Sequence, residues 1–287
     1  MKILLCTVLA LFAFAANSVL CRLALGEGAI DAASFTAIRL LSGVVVLFII
    51  LKAAQVGEGV VSKGSWKSSF MLFLYAVTFS FAYISLDTGT GALILFGSVQ
   101  ITMILSGIYL GNKLHKFEIF GVLIAFSGFV YLIIPGVGTP SLMGFILMTV
   151  AGIAWGFYTL AGKGSENALS DTSYNFLRTV PLVIVLVALT FHNAALTQKG
   201  VVLAMLSGGI ASGVGYTIWY VALKGLSATQ AAVVQLLVPV IAAIGGVIFA
   251  HEMFSLRMML SSLMILGGIL FVVLAKHHLA NQSAGKT

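Results

Sequence analysis

Several stretches of this chain set aromatic and polar side chains at helical spacing. Ser212, Tyr216 and Trp219 are separated by four and three residues and share one helix face, as do Trp155 and Tyr158. Tyr75, Phe79 and Tyr83 recur every four residues, and Phe96 stands four before Gln100, as Gln235 does before Pro239. All of them lie inside long apolar runs. An unpaired amide in lipid costs several kcal/mol, so Asn17, Gln100 and Gln235 must face protein or water. Indole and phenol faces, amides and hydroxyls, without fixed charge, suit a small substrate with a neutral side chain. Aromatic faces also attract an ammonium group, so a zwitterionic amino acid meets both conditions, and a hydrophobic drug fits nearly as well. The candidate substrate-contacting residues are therefore Asn17, Phe79, Tyr83, Gln100, Trp155, Tyr158, Tyr216, Trp219 and Gln235. For each aromatic the competing reading is packing, or interfacial anchoring for Tyr83 and Trp219. Pro239 removes one backbone hydrogen bond and predicts a kink beside the pathway.

Other chemistries find little support. There is no His-Glu-x-x-His, Cys-x-x-Cys, Walker loop or Gly-x-Ser-x-Gly, so no catalytic group, metal or cofactor is expected. Cys6 and Cys21 lie in one run, roughly 22 Å apart if helical, too far for a disulfide. The acids and histidines sit near the ends of the apolar runs, and none is expected at mid-membrane, where a proton carrier would stand. Facilitated transport is therefore favoured over tight proton antiport. Arg39 and Arg178 fall inside spans and are expected to snorkel toward an interface as structural charges.

Composition determines what holds these residues. Of 287 residues, 60% are hydrophobic and 8% charged, with a mean hydropathy of +1.14. A soluble domain carries about 25% charged residues, so the chain reads as an all-α polytopic membrane protein. The net charge of +7 comes from single Lys and Arg residues between apolar runs, without a basic cluster for nucleic acid. Charges and the break at Pro135–Pro140 divide the chain into ten spans, near 3–21, 31–51, 67–86, 90–110, 117–134, 141–161, 173–191, 201–223, 227–250 and 256–275. The pairs Gly107/Gly111, Gly152/Gly156 and Gly209/Gly213 are expected to let helices approach closely. With the N-terminus inside, ten Lys fall on the inner side against Arg22, Lys199 and Arg257 outside. This bias predicts a bacterial-type inner membrane with both termini cytoplasmic.

A shift of 139 residues brings Arg39 onto Arg178, Thr90 onto Thr229, Gly107 onto Gly246 and Gly128 onto Gly267. Five spans per half is odd, so the halves enter from opposite sides, as in inverted-repeat transporters with a midplane site. The expected units are 1–136, 137–276 and a cytoplasmic tail, 277–287.

With Trp155-Gly156, the matched Arg39 and Arg178, and the span ends Gly111-Asn112-Lys113 and Ala250-His251-Glu252, the chain resembles the drug/metabolite transporter superfamily with two EamA-type domains. The first half departs from that pattern, with Ala16-Asn17 where the family has Trp-Gly, and Gln100 opposite Pro239. The resemblance covers essentially the whole chain and is most similar to YddG-type exporters of aromatic and other neutral amino acids. It implies alternating access around a central cavity, with a small-molecule substrate, the lipid bilayer as surroundings, and a monomer as a workable state. The alternative it leaves open is a multidrug or other metabolite exporter, proton-coupled or not; a membrane-embedded enzyme is the reading of another class.

Overall fold

Polar residues just before each apolar run start the helices. Ser65, Ser141, Asn167 and Thr197 each accept a hydrogen bond from the backbone N–H three residues on. Asp31 accepts from the N–H groups of Ala33 and Ser34. His115 and Glu118 form a reciprocal cap. The computed structural model describes residues 1–54, 63–111, 115–135, 139–162, 165–226 and 228–284. The helices are α1 (Lys2–Leu25), α2 (Ala32–Ala54), α3 (Trp66–Ala82), α4 (Thr88–Tyr109), α5 (Lys116–Ile133), α6 (Leu142–Ala161) and α7 (Ala168–Thr190), then α8 (Gln198–Met205), α9 (Gly215–Leu223), α10 (Ala228–Gln235), α11 (Val238–Phe249) and α12 (Leu256–Ala284).

Among the described residues, nine helical stretches have the length and apolarity of a membrane crossing. The 17-residue α3 packs among them as a tenth pass. Large apolar side chains such as Val45, Ile49, Phe120, Phe126, Ile184 and Leu263 face outward, which only lipid can cover at this density. The protein is an all-α membrane protein.

Four features depart from ten uniform spans. The eighth is one continuous stretch, Gln198–Leu223, but its middle, Leu206–Val214, is a π-helical segment between α8 and α9. The ninth breaks into α10 and α11. The N–H groups of Leu236 and Leu237 turn back to the carbonyls of Val233 and Val234 at 3.1 Å, and Pro239 stands in the first turn of α11, where its missing N–H costs nothing. The tenth continues past its expected end to Ala284, so most of the expected tail is helical. The seventh begins at Ala168, five residues earlier than expected. The expected boundary between residues 136 and 137 lies outside the described residues.

Among the closely packed pairs are α5 with α12, α2 with α7, α4 with α11, α3 with α6, and α1 with α9 and the π segment. Adding five to each span number maps the first three pairs onto themselves and exchanges the last two. Glycine permits the closest approaches. A Cβ on Gly208 would lie 1.9 Å from the Arg39 carbonyl oxygen, and one on Gly152 would lie 2.5 Å from Ser98 Cβ. Gly111, expected to pack, instead ends α4 at φ 94° with nothing within 4 Å; its role is the turn.

Candidate functional site

The polar faces of α1, α3, α4, α6, the π segment, α9 and α10 turn inward around one small cavity. Its walls include Phe14, Asn17, Tyr75, Phe79, Trp155, Tyr216 and Gln235. Its volume is about 30 Å³, room for roughly two waters, so a bound metabolite requires the walls to part. The Trp155 indole is the hub of the aromatic wall. Its centroid lies 4.7 Å from that of Tyr75, 5.2 Å from Tyr216 and 5.2 Å from Tyr158, on which it stacks. Phe14 lies 5.9 Å from Tyr216.

A polar chain crosses the same wall. Ser207, on the π segment, donates to Asn17 Oδ1 at 2.6 Å, and Asn17 Nδ2 donates to Tyr75 Oη at 3.4 Å. Arg39 Nη2 donates to the same oxygen at 3.0 Å. The π segment is what brings Ser207 here. An extra residue in the turn shifts the helix register, and Gly208 lets that turn sit directly on the α2 backbone.

Of the nine candidate contacts, Asn17, Phe79, Trp155, Tyr216 and Gln235 line the cavity. Tyr158 stands one ring behind it, against Trp155. Gln100 is buried on α4 with no partner for Nε2, one turn beyond the lining Phe96. Tyr83 and Trp219 do not line the cavity but also stand one ring behind it, respectively 4.8 Å from the Phe79 centroid and 5.8 Å from that of Phe14. Tyr83 donates to the Thr88 carbonyl at 3.2 Å and closes the α3–α4 turn. Trp219 packs in a separate cluster with Ala10, Ala222 and Ala231. Neither is an exposed interfacial anchor, for both are buried. The other lining residues are Tyr75 and Phe96, which the aromatic spacing singled out without making them candidates, and Phe14, Ser18, Leu95 and Ala211, which sequence reasoning missed. Phe14 and Ser18 flank Asn17 at spacings of three and one, a signal present on α1 but not read.

The two arginines, expected to be equivalent, are not. Arg178 reaches the end of its helix, donating to the Lys63 carbonyl and lying over the Trp66 ring at 5.8 Å. Arg39 does not snorkel: it is 2% exposed, with its guanidinium 4.8 Å from the Phe79 centroid and 5.2 Å from that of Tyr75.

Polar contacts tie the helix ends. At one end Glu252 accepts from Thr88 N through both oxygens at 2.9 Å, from Thr88 Oγ1 at 3.1 Å, and from Arg22 Nε at 3.1 Å. Arg22 also pairs with Asp87 at 3.4 Å. The carboxylate sits on the N-terminus of α4, where the helix dipole favours it. Glu252 is therefore more buried than its loop position suggests, its side chain 10% exposed against 57% for Asp87. At the same end the Asp31 carboxylate accepts from Ala195 N, and Thr197 bonds the Ala29 carbonyl. Partial burial works to raise the Asp31 pKa, but hydrogen bonds from Ser34, Ala195 and Ala33 prevail and hold it below the ordinary value. At the other end Asp171 and Asn175 of α7 accept from Gly64 N and Ser65 N at 2.7 and 2.9 Å. Among the described residues no group of His, Cys and acids is arranged to hold a metal.

The EamA-like transporter family model matches residues 142–274. An uncharacterized protein of Pseudomonas aeruginosa is 45% identical over 273 residues, spanning 95% of this chain and 94% of the relative. The chain belongs to the EamA-like transporter family. Other relatives of this EamA chain carry the transporter name directly. One is the uncharacterized transporter YoaV of Bacillus subtilis, 21% identical over 82% of this chain and 85% of its own. Another, from Archaeoglobus fulgidus, is 28% identical over 76% and 79%. A solved protein crystal structure shares the fold with a TM-score of 0.63, at 17% identity over 93% of this chain and 96% of that one. The EamA protein is thus a multi-pass membrane transporter, and its substrate is a small molecule.

Proposed function

We propose that this EamA protein carries small neutral metabolites, foremost aromatic and other uncharged amino acids, across a bacterial-type inner membrane by alternating access. The observation that carries this reading is the cavity wall. Indole, phenol and phenyl faces alternate there with the Asn17 and Gln235 amides, and no charged side chain lines it. Ring faces of this kind bind an aromatic side chain and attract an ammonium group. The helices fall into two inverted repeats, 1–136 and 137–276; the exchange of helix pairs under a shift of five spans supports that division. Both termini are cytoplasmic, on the strength of the Lys bias. Glu252 and Arg22 then latch the outer end, and Asp171 and Asn175 the inner.

No acid lines the cavity, which supports a facilitator over a proton antiporter. The apolar share of the wall, Phe14, Leu95, Phe96 and Ala211, keeps one second reading in view, a hydrophobic-drug exporter. Uptake into proteoliposomes of labelled phenylalanine, tryptophan, leucine and glutamate, each challenged with a hydrophobic cationic dye, separates the two. Saturable uptake of the neutral amino acids, not of glutamate, is expected. Dye transport without amino-acid transport would favour the drug reading.

A further inference from the structure

Arg39 is a cation in the protein interior, and among the described residues no anion pairs with it. It makes none of the three ion pairs among the described residues, which belong to Arg22 and Lys199. The described carboxylates stand at helix ends: Glu27, Asp31, Asp87 and Glu252 at one, Glu118, Glu166 and Asp171 at the other. Nη2 donates to Tyr75 Oη, while Nη1 is buried without any acceptor. The guanidinium lies on the Phe79 and Tyr75 rings. Desolvating such an ion costs more than two ring contacts and one neutral hydrogen bond return. The remainder is a standing attraction for negative charge.

The neighbouring groups have the same polarity. Tyr75 Oη accepts from both Arg39 and Asn17. Both of its lone pairs are therefore engaged and its own proton is left to give. Tyr75 lines the cavity; Phe79 and Tyr75 are the two rings that separate Arg39 from it. A surplus of donors around a full positive charge, one ring-thickness behind the wall, is complementary to a carboxylate, which accepts from a guanidinium and a hydroxyl at once.

We propose that Arg39 and Tyr75 form the receptor for the carboxylate of the substrate, reached when the Phe79 and Tyr75 rings part as the cavity expands. This rests on the amino-acid reading and sharpens it: the aromatic face around Trp155 takes the side chain and ammonium, and Arg39 demands a free carboxylate. Arg39 then determines specificity, admitting amino acids and rejecting amines and cationic drugs of equal hydrophobicity.

The test measures binding to the intact detergent-solubilised protein, read by thermal shift, so that transport is not needed. The probes are phenylalanine, 3-phenylpropionate (carboxylate only), phenylalaninamide and phenethylamine (ammonium only). Phenylalanine and 3-phenylpropionate should bind at least about tenfold more tightly than the amide and the amine, the scale of a charged hydrogen-bonded contact. Arg39→Lys should keep this preference with weaker affinity, and Arg39→Met should abolish it. If Arg39→Met does not fold, the four-probe comparison on the unaltered protein decides alone. Phenylalaninamide binding within about threefold of phenylalanine would overturn the carboxylate receptor while leaving amino-acid transport standing. Binding of 3-phenylpropionate without phenylalanine would do the reverse. No binding by any of the four would overturn both. Replacing chloride by isethionate should change nothing; a preference that collapses without chloride would assign Arg39 to that ion and refute the proposal.

Discussion

Glu252→Ala should release the end of the transporter that Glu252 now ties. The carboxylate holds the N–H of Thr88 at 2.9 Å and Arg22 Nε at 3.1 Å, and so joins α1, α4 and the α11–α12 turn. Hydrogen bonds to a charged acceptor contribute about 1.5–3 kcal/mol, and a stranded buried N–H costs about as much. The Arg22 pair is partly solvated, at 22% side-chain exposure, so we add nothing further for it. A net loss of about 2 kcal/mol follows, a shift of roughly 30-fold in the closed-to-open ratio if the contact exists only in the closed state. Glu252→Gln keeps an acceptor for Thr88 and loses only the charge, about 1 kcal/mol or roughly fivefold. The assay is labelling of Ala211→Cys, in the cavity wall, by an impermeant maleimide added on the Glu252 side, with Cys6 and Cys21 replaced by alanine. The expected order of rates is Ala above Gln above parent. Equal rates in all three, or faster labelling only from the opposite face, would refute the latch.

Gly208→Ala should lower the melting temperature of the solubilised protein by several degrees, because the new Cβ meets the Arg39 carbonyl at 1.9 Å, a backbone atom that cannot turn aside; overpacking of this kind costs about 1–3 kcal/mol. Gly213→Ala, whose Cβ meets the Val46 side chain at 3.2 Å and the Gly208 carbonyl oxygen at an ordinary 3.5 Å, should melt close to the parent. Trp155→Ala should express and fold yet weaken phenylalanine transport a few-fold to about 30-fold, the range of one aromatic contact, while Trp219→Ala, outside the cavity, should leave the apparent KM near that of the parent. A one-unit pH step across proteoliposomes, about 1.4 kcal/mol per coupled proton, should leave the accumulation ratio near one; sustained tenfold accumulation would reveal coupling and point to Glu252, the most buried acid of its cluster.

Composition and run length suffice to establish the medium and the helices. Eight per cent charged residues cannot cover a soluble body, and the charge-free runs that include Lys2–Arg22 and Lys67–Asp87 are each long enough to cross a hydrocarbon core. The amides at Asn17 and Gln235 were legible as inward-facing for the same reason, since lipid offers them no partner. The aromatic spacing predicted one helix face for Trp155 and Tyr158, and another for Tyr216 and Trp219. It did not separate the residues at the cavity from those behind it, because a helix face three or four residues wide spans two neighbours. Both rings touch Phe14, but Trp219 packs on toward Ala10 and Ala231 while Tyr216, one turn earlier, reaches Trp155.

The roles of the two arginines, by contrast, come from packing between helices. In sequence Arg39 and Arg178 are equivalents 139 residues apart. In space one ends at a loop carbonyl and the other lies under two rings with a nitrogen unmatched. The difference arises from what the neighbouring helix offers. α3 presents Tyr75 and Phe79 to Arg39, whereas the corresponding position to Tyr75 in the second half is Val214, inside the π segment. A repeat specifies the path of the backbone, which is set by span length and apolarity. It does not specify the partners of a charge, which come from side chains on other helices that the repeat leaves free to differ.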